Sequence, residues 1–301
     1  MPLTLPQLSV GDPMQYESLS VFPLFAPAGG EVEYQLSDEA LASESLLVQE
    51  VTEGGSVPNL LVENKGDLLV LFLEGEELVG AKQNRVLNTS VLVAPHSLLK
   101  IPVSCVEQGR WRYKSKFFGS SGSHSPSKLR RALKASVSRS VRGKSGHASD
   151  QGEVWRQVEG LHAAHGVESE TTAMSDAFEQ HQARIAEFRE RLQYLAPAVG
   201  MAVTVGPRVV SIDVFDKPAT CQKVWSRLLS GFVFDALESR ESGPTVEAAQ
   251  VSQLLQAAGS FPWEPSPAVG EGQEYRAESV DGEHASALTF QGTVVHESLL
   301  V

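Results

Sequence analysis

Apolar residues in the first hundred positions recur in short bursts separated by turn residues. Residues 46–51, 59–63, 68–73, 85–93 and 99–106 are rich in Val and Leu, with turn signals at 53–56, 64–67, 74–76 and 94–97. Short runs joined by tight turns predict antiparallel hairpins rather than parallel strands with helical crossovers. A short helix is predicted over 37–44, capped by Ser37 or Asp38.

The texture changes after Trp111. Residues 115–127 are rich in Ser and Gly and read as a mobile loop, ending in a Ser125-Pro126 helix start. Leu129, Leu133, Val137 and Val141 then mark one helix face, with Lys128, Arg131, Lys134, Arg139 and Arg142 mostly on the other. A second helix is predicted over 150–165, with Val154, Trp155, Val158 and Leu161 inward. A third is predicted between Thr172 and Pro197, on a stripe of Phe178, Ile185, Phe188, Leu192 and Leu195. Strands return at 200–205 and 209–214, followed by a helix that Asp216 caps and Pro218 opens. A further helix over 245–258 and two or three strands within 270–301 close the chain. The order of strands, helices and strands predicts an α+β fold. It would be an antiparallel β-sandwich or barrel with a helical insertion at about 125–197, one domain in which the closing strands complete the first sheet. Within it, residues 1–113 would be mainly β, 114–198 the basic loop and helical insertion, and 199–301 the completion of the β core.

Composition narrows the class. With 301 residues, 42% apolar and 21% charged, the chain reads as a soluble globular protein. Its longest purely aliphatic and aromatic run, 68–73, is far short of the roughly 20 residues a membrane helix needs. The first residues show no export pattern, and two cysteines favour a reducing, cytoplasmic setting. The net charge of −12 hides an asymmetry: residues 108–149 hold 11 Lys and Arg and no acid, leaving −23 on the rest. The basic stretch from Arg110 to Lys144 begins with interleaved aromatic residues, as single-stranded nucleic acid binding requires. A basic helix docked on the acidic body, with Trp111, Tyr113 and Phe117 turned inward, explains the same charge map without a partner.

The densest polar cluster runs from Glu74 to Arg85, directly after the apolar run 68–73. Strand alternation would send Gln83 and Arg85 to one side and Lys82 and Asn84 to the other. Such a cluster suits an anionic ligand held by Arg85 or Lys82 with a carboxylate as base, or a divalent cation at Glu74, Glu76 and Glu77. It equally suits a hairpin corner of solvated charges with one buried pair. Cys105 reads as a packed thiol, and Glu107 and Arg110 as a pair across a turn. His162, His165 and His181 lack the i,i+4 spacing of a zinc protease, and no P-loop, dinucleotide glycine motif or nucleophile elbow occurs.

Four motifs carry a resemblance to a known family: residues 76–88 (EELVGAKQNRVLN), 101–111 (IPVSCVEQGRW), 150–155 (DQGEVW) and 213–218 (DVFDKP). In order, and within a match from about Tyr16 to His296, they resemble the domain of unknown function associated with ADP-ribosylglycohydrolases and rhodanese-phosphatases. The resemblance implies a link to NAD and ADP-ribose metabolism in bacteria. It nominates Glu76, Glu77, Lys82, Gln83, Asn84, Arg85, Ser104, Cys105 and Glu107 as motif positions. Cluster and resemblance together lead to an expected module that binds, or binds and hydrolyses, an ADP-ribose- or NAD-derived nucleotide. Lys82 and Arg85 would hold phosphate, and Gln83 and Asn84 would orient sugar or base. Ser104 and Glu107 would complete the ligand set, and Glu76 or Glu77 would act as base. The competing expectations are a nucleic-acid-binding protein and a non-catalytic interaction domain.

Overall fold

A computed structural model describes residues 3–27, 30, 32–239 and 246–301. Strands β1 (Ser9–Val10), β2 (Met14–Tyr16), β3 (Leu19–Phe25) and β4 (Tyr34–Leu36) lead to α1 (Ser37–Ala42). Next come β5 (Leu46–Glu50), β6 (Asn59–Asn64), β7 (Leu69–Phe72), β8 (Glu76–Gly80), β9 (Arg85–Leu87), β10 (Val91–Val93), β11 (Ser97–Cys105) and β12 (Phe118–His124). The helical insertion is α2 (Ser127–Arg142), α3 (Gln151–His165), α4 (Met174–Gln180) and α5 (Gln182–Arg191). The chain closes with β13 (Gly200–Val205), β14 (Arg208–Phe215), α6 (Pro218–Glu238), α7 (Ala248–Ala258), β15 (Glu264–Pro267), β16 (Gln273–Glu278), β17 (His284–Phe290) and β18 (Thr293–Leu300). The fold is α+β with mainly antiparallel sheets; β4 and β7 pair in parallel. Among the described residues, no helix is long and apolar enough to cross a membrane.

The backbone divides into two compact units. The first comprises residues 1–32, 183–267 and 272–301, the second 33–182 and 268–271. In the first, one sheet runs β1-β3-β13-β14-β18-β17-β16-β15, with β2 on β3. Phe22, Leu24, Ala202, Ile212, Val214 and Leu299 form its apolar face, with Val251 and Ala258 of α7 in the same cluster. The closing strands therefore complete the sheet of β1–β3, not that of β5–β12 as the sequence suggests. Thr245, the predicted start of α7, lies outside the described residues.

The second unit holds a sheet ordered β12-β8-β9-β11-β6-β5 and a smaller one ordered β10-β7-β4. Leu46, Val48, Leu60 and Val62 of the first meet Val70, Phe72, Val91 and Val93 of the second in one apolar cluster. Alternation places these residues on inward positions, so burial and register enforce each other. Three local features differ from the sequence expectation. The Ser/Gly-rich stretch contains strand β12, whose backbone pairs with β8 through an irregular register between Ser120 and His124. The predicted strand over 85–93 breaks into β9 and β10, which join different sheets. The third helix is interrupted at His181, and Leu195, at the end of its predicted stripe, is exposed.

Candidate functional site

The pleat of β8, β9 and β11 sorts the candidate residues. Arg85 lies opposite both Leu78 and Cys105, while Val86 lies opposite Glu77 and Ser104. Directly paired residues share a face and successive residues alternate. Arg85 and Cys105 therefore share the face of Leu78, Leu87 and Val103 in the apolar cluster, and Glu77 and Ser104 occupy the other. The expectation of Glu77 and Arg85 in one pocket fails on this parity.

Arg85 is completely buried. Its Nη1 donates to the Gln83 carbonyl at 3.1 Å and to Gln83 Oε1 at 3.0 Å. Its Nη2 lies 3.5 Å from Glu50 Oε1, an ion pair that lacks hydrogen-bond geometry and leaves both Glu50 oxygens without a donor. The guanidinium also stands 5.5 Å from the Trp111 ring centroid. Burial pushes the neighbouring Cys105 thiol up to about 11, against the pull of Arg85, so it is protonated and unreactive near neutral pH.

Most of the expected ligand set is committed to the scaffold. Arg110 grips Glu107 with two hydrogen bonds of 2.7 Å, from Nε and Nη2. The Asn84 N–H and the Thr171 hydroxyl each donate to Glu107 at 3.0 Å. Burial alone would raise the Glu107 carboxyl, but these donors outweigh it and hold it below the ordinary carboxylate range. Arg110 also donates to the carbonyls of Gly80, Ala81 and Arg112 and to Asn84 Oδ1. Gln83 donates to the Glu107 carbonyl, and the Ser104 hydroxyl to Asn88 Oδ1 at 2.6 Å. Gln83, Asn84, Ser104 and Glu107 thus hold the site's walls in place.

What they hold is the segment after Arg110. The Lys114 N–H donates to the Ala81 carbonyl at 2.9 Å, and Ser115 Oγ accepts from the Ala81 N–H at 2.9 Å. This anchoring turns Trp111 and Tyr113 outward, 48% and 52% exposed, not inward as strand residues. The β5–β6 turn abuts them: Gly55 has φ of +80°, and a Cβ there would sit 3.0 Å from the indole of Trp111. Tyr113 donates to the Glu53 carbonyl at 3.4 Å. An open groove of about 820 Å³ results, lined in part by Glu50, Thr52, Glu53, Tyr113, Lys114 and Lys116. That volume suits a small organic ligand. Lys82 Nζ stands 5.6 Å from the Trp111 ring and 5.1 Å from the Tyr113 ring. Lys82 and Arg85 therefore meet the same indole instead of diverging, because residues 81–84 form a turn and not a strand. The sequence reading missed Glu50. Its signal was a carboxylate at the third inward position of β5, after Leu46 and Val48.

The three carboxylates proposed for a cation diverge. Glu74 pairs with Lys134 at 2.7 Å and with Arg130 at 3.5 Å. Glu76 accepts from the Ser37 hydroxyl and, at 3.2 Å, from the Leu73 N–H. Glu77 is fully buried on the opposite face, and neither oxygen accepts a hydrogen bond of ordinary geometry. Burial, reinforced by the Glu107 and Asp176 charges and only partly offset by Ser121 and the Ser175 N–H, raises its pKa to about 8. Among the described residues no three His, Cys, Asp or Glu side chains gather as a metal set. His162 instead contacts the Ala173 carbonyl at 2.9 Å. The basic helix is divided: Arg130 and Lys134 turn inward to Glu74, whereas Lys128, Arg131, Arg139 and Arg142 are exposed.

Comparison with known families matches residues 7–300 to the model described as the ARG and Rhodanese-Phosphatase-superfamily-associated Protein domain, and the chain belongs to that family. No curated protein and no solved structure matches it.

Proposed function

We propose that the groove binds an anionic nucleotide-type ligand of the ADP-ribose or NAD-derived kind. One observation carries this reading: Tyr113, Lys114 and Lys116 line a single groove, and the Lys82 ammonium group stands beside the exposed Tyr113 and Trp111 rings. Tyr113 and Trp111 offer faces on which a base stacks, a contact worth about 1–3 kcal/mol. Lys82, Lys114 and Lys116 supply positive charge for phosphate. Arg85 lies behind the surface and takes no phosphate directly. The family name supports the same direction through its association with ADP-ribosylglycohydrolases. The carboxylates lining the groove are Glu50 and Glu53, so any hydrolytic base would come from these and not from Glu76 or Glu77.

A thermal-shift titration with ADP-ribose, NAD and adenosine monophosphate tests the proposal. Saturable stabilisation is expected, lost in Tyr113→Ala and kept in Arg139→Ala. Absence of any shift up to about 1 mM ligand rejects it, since at 100 times Kd the stabilisation would be about 2.7 kcal/mol.

The exposed basic side of α2 favours a second reading, a polyanion such as single-stranded nucleic acid laid along Lys128, Arg131, Arg139 and Arg142. Its affinity would fall steeply with salt; flat salt dependence removes it.

A further inference from the structure

Lys82 is held by aromatic rings and not by an acid. Its Nζ stands 5.1 Å from the Tyr113 ring centroid and 5.6 Å from that of Trp111. A Cβ at Gly55 would lie 3.2 Å from its Cδ, so the β5–β6 turn packs along its stem. Among the described residues no carboxylate pairs with Lys82, and its charge stays unneutralised beside the two rings. An ammonium group is drawn to an aromatic ring by the electron-rich face. Lys82 already uses that property of Tyr113 and Trp111. Tyr113 lines the groove and Lys82 does not, so the ring stays open to a ligand with the ammonium group beside it. The surrounding charge has the same sign. Lys82, Lys114 and Lys116 outnumber Glu53, because the other groove carboxylate, Glu50, is buried against Arg85 at 3.5 Å.

We propose that Lys82, seated against Tyr113 and Trp111, makes this aromatic wall select an uncharged base and reject a cationic ring. A ligand carrying both, as an oxidised nicotinamide dinucleotide does, then stacks by its adenine and leaves its pyridinium outside. This rests on the nucleotide reading of the groove. An uncharged purine stacks through dispersion and surface burial, which the nearby ammonium group does not oppose. A pyridinium stacked on Tyr113 would meet Lys82 as a like charge, an element of rejection rather than of lost attraction. Unit charges within about 10 Å in partly screened surroundings change affinity roughly threefold to tenfold. Salt shortens the reach of that repulsion.

The experiment titrates the unmodified protein with adenosine 5′-monophosphate, nicotinamide mononucleotide and reduced nicotinamide mononucleotide. The two nicotinamide ligands share ribose and phosphate and differ in the charge of the ring. The oxidised form should bind roughly threefold to tenfold more weakly than the reduced form. Adenosine 5′-monophosphate should bind at least as tightly as the reduced form. The gap between the two nicotinamide ligands should narrow in about 0.5 M salt. It should narrow also in Lys82→Met, whose folding is checked by circular dichroism. Equal or tighter binding of the oxidised form overturns the inference while leaving the groove a nucleotide site. Adenosine 5′-monophosphate binding more weakly than the oxidised form overturns it too. A gap that persists in folded Lys82→Met, or that salt leaves unchanged in the unmodified protein, removes the Lys82 charge as its cause and overturns the inference. No binding by any of the three removes the nucleotide reading itself, and this inference with it.

Discussion

Replacing Glu77 by Gln isolates the energetic effect of one buried acid. Glu77 sits at full burial on β8, near the Glu107 and Asp176 charges. Its pKa rises from the ordinary 4.5 to about 8 because burial, before any other cause, penalises the carboxylate. An acid with a raised folded-state pKa holds its proton in the folded protein after the unfolded chain has released it. Below pH 4.5 both states are protonated and no penalty exists. Between 4.5 and 8 the penalty grows by at most about 1.4 kcal/mol per pH unit, and above 8 it levels off. The full rise corresponds to roughly 5 kcal/mol, an upper figure because local relaxation and water entry reduce it. Glutamine matches the protonated acid in shape and carries no charge. Urea unfolding of both proteins at pH 5, 7 and 9 measures the difference. Near-equal stability is expected at pH 5, with the variant ahead by about 2–5 kcal/mol at pH 9. A stability difference that does not change between pH 5 and pH 9 refutes the reasoning.

Three further outcomes follow from the same geometry. Arg110→Ala leaves Glu107 buried without its partner and should cost about 3–5 kcal/mol by chemical denaturation; a loss under 1 kcal/mol would mean the clamp is not what holds residues 110–117. Gly55→Val forces a β-branched residue to φ of +80° and pushes against the Trp111 ring, so nucleotide binding should weaken alongside stability. Unchanged ligand affinity in that variant would separate the β5–β6 turn from the groove. Cys105 should resist a thiol reagent at pH 7.5 and react on unfolding, because its folded pKa lies near 11; rapid labelling of the folded protein at that site would contradict its burial.

The hairpins of β5, β6 and β11 and the apolar stripes of α2 and α3 were legible because one face of each is buried, which imposes a period on the sequence. Strand β12 was not legible. Its Gly and Ser residues carry no apolar period, and what makes it a strand is the backbone of β8 beside it. Lys134 gave the opposite error. Its place on the polar side of α2 suggested solvent, yet Glu74 draws it into full burial, and an ion pair across 60 positions has no local signature. The density of polar residues from Glu74 to Arg85 drew attention to a stretch whose Lys82 stands beside the Tyr113 ring, and the family resemblance held across residues 7–300. The roles did not follow from it. Gln83 and Asn84 make hydrogen bonds within the scaffold, and Glu77 lies on the face opposite Arg85 because β8–β9 pairing sets it against Val86. Glu50 could have been found as a charge at an inward strand position.

The central claim is that the groove beside Tyr113 and Glu50 takes a nucleotide. Calorimetric titration of ADP-ribose into the protein and into Tyr113→Ala tests it most directly. Saturable binding is expected in the first, weakened about tenfold or more in the second by loss of the stacking face. No saturable heat up to about 1 mM ligand, or equal affinity in both proteins, would contradict it.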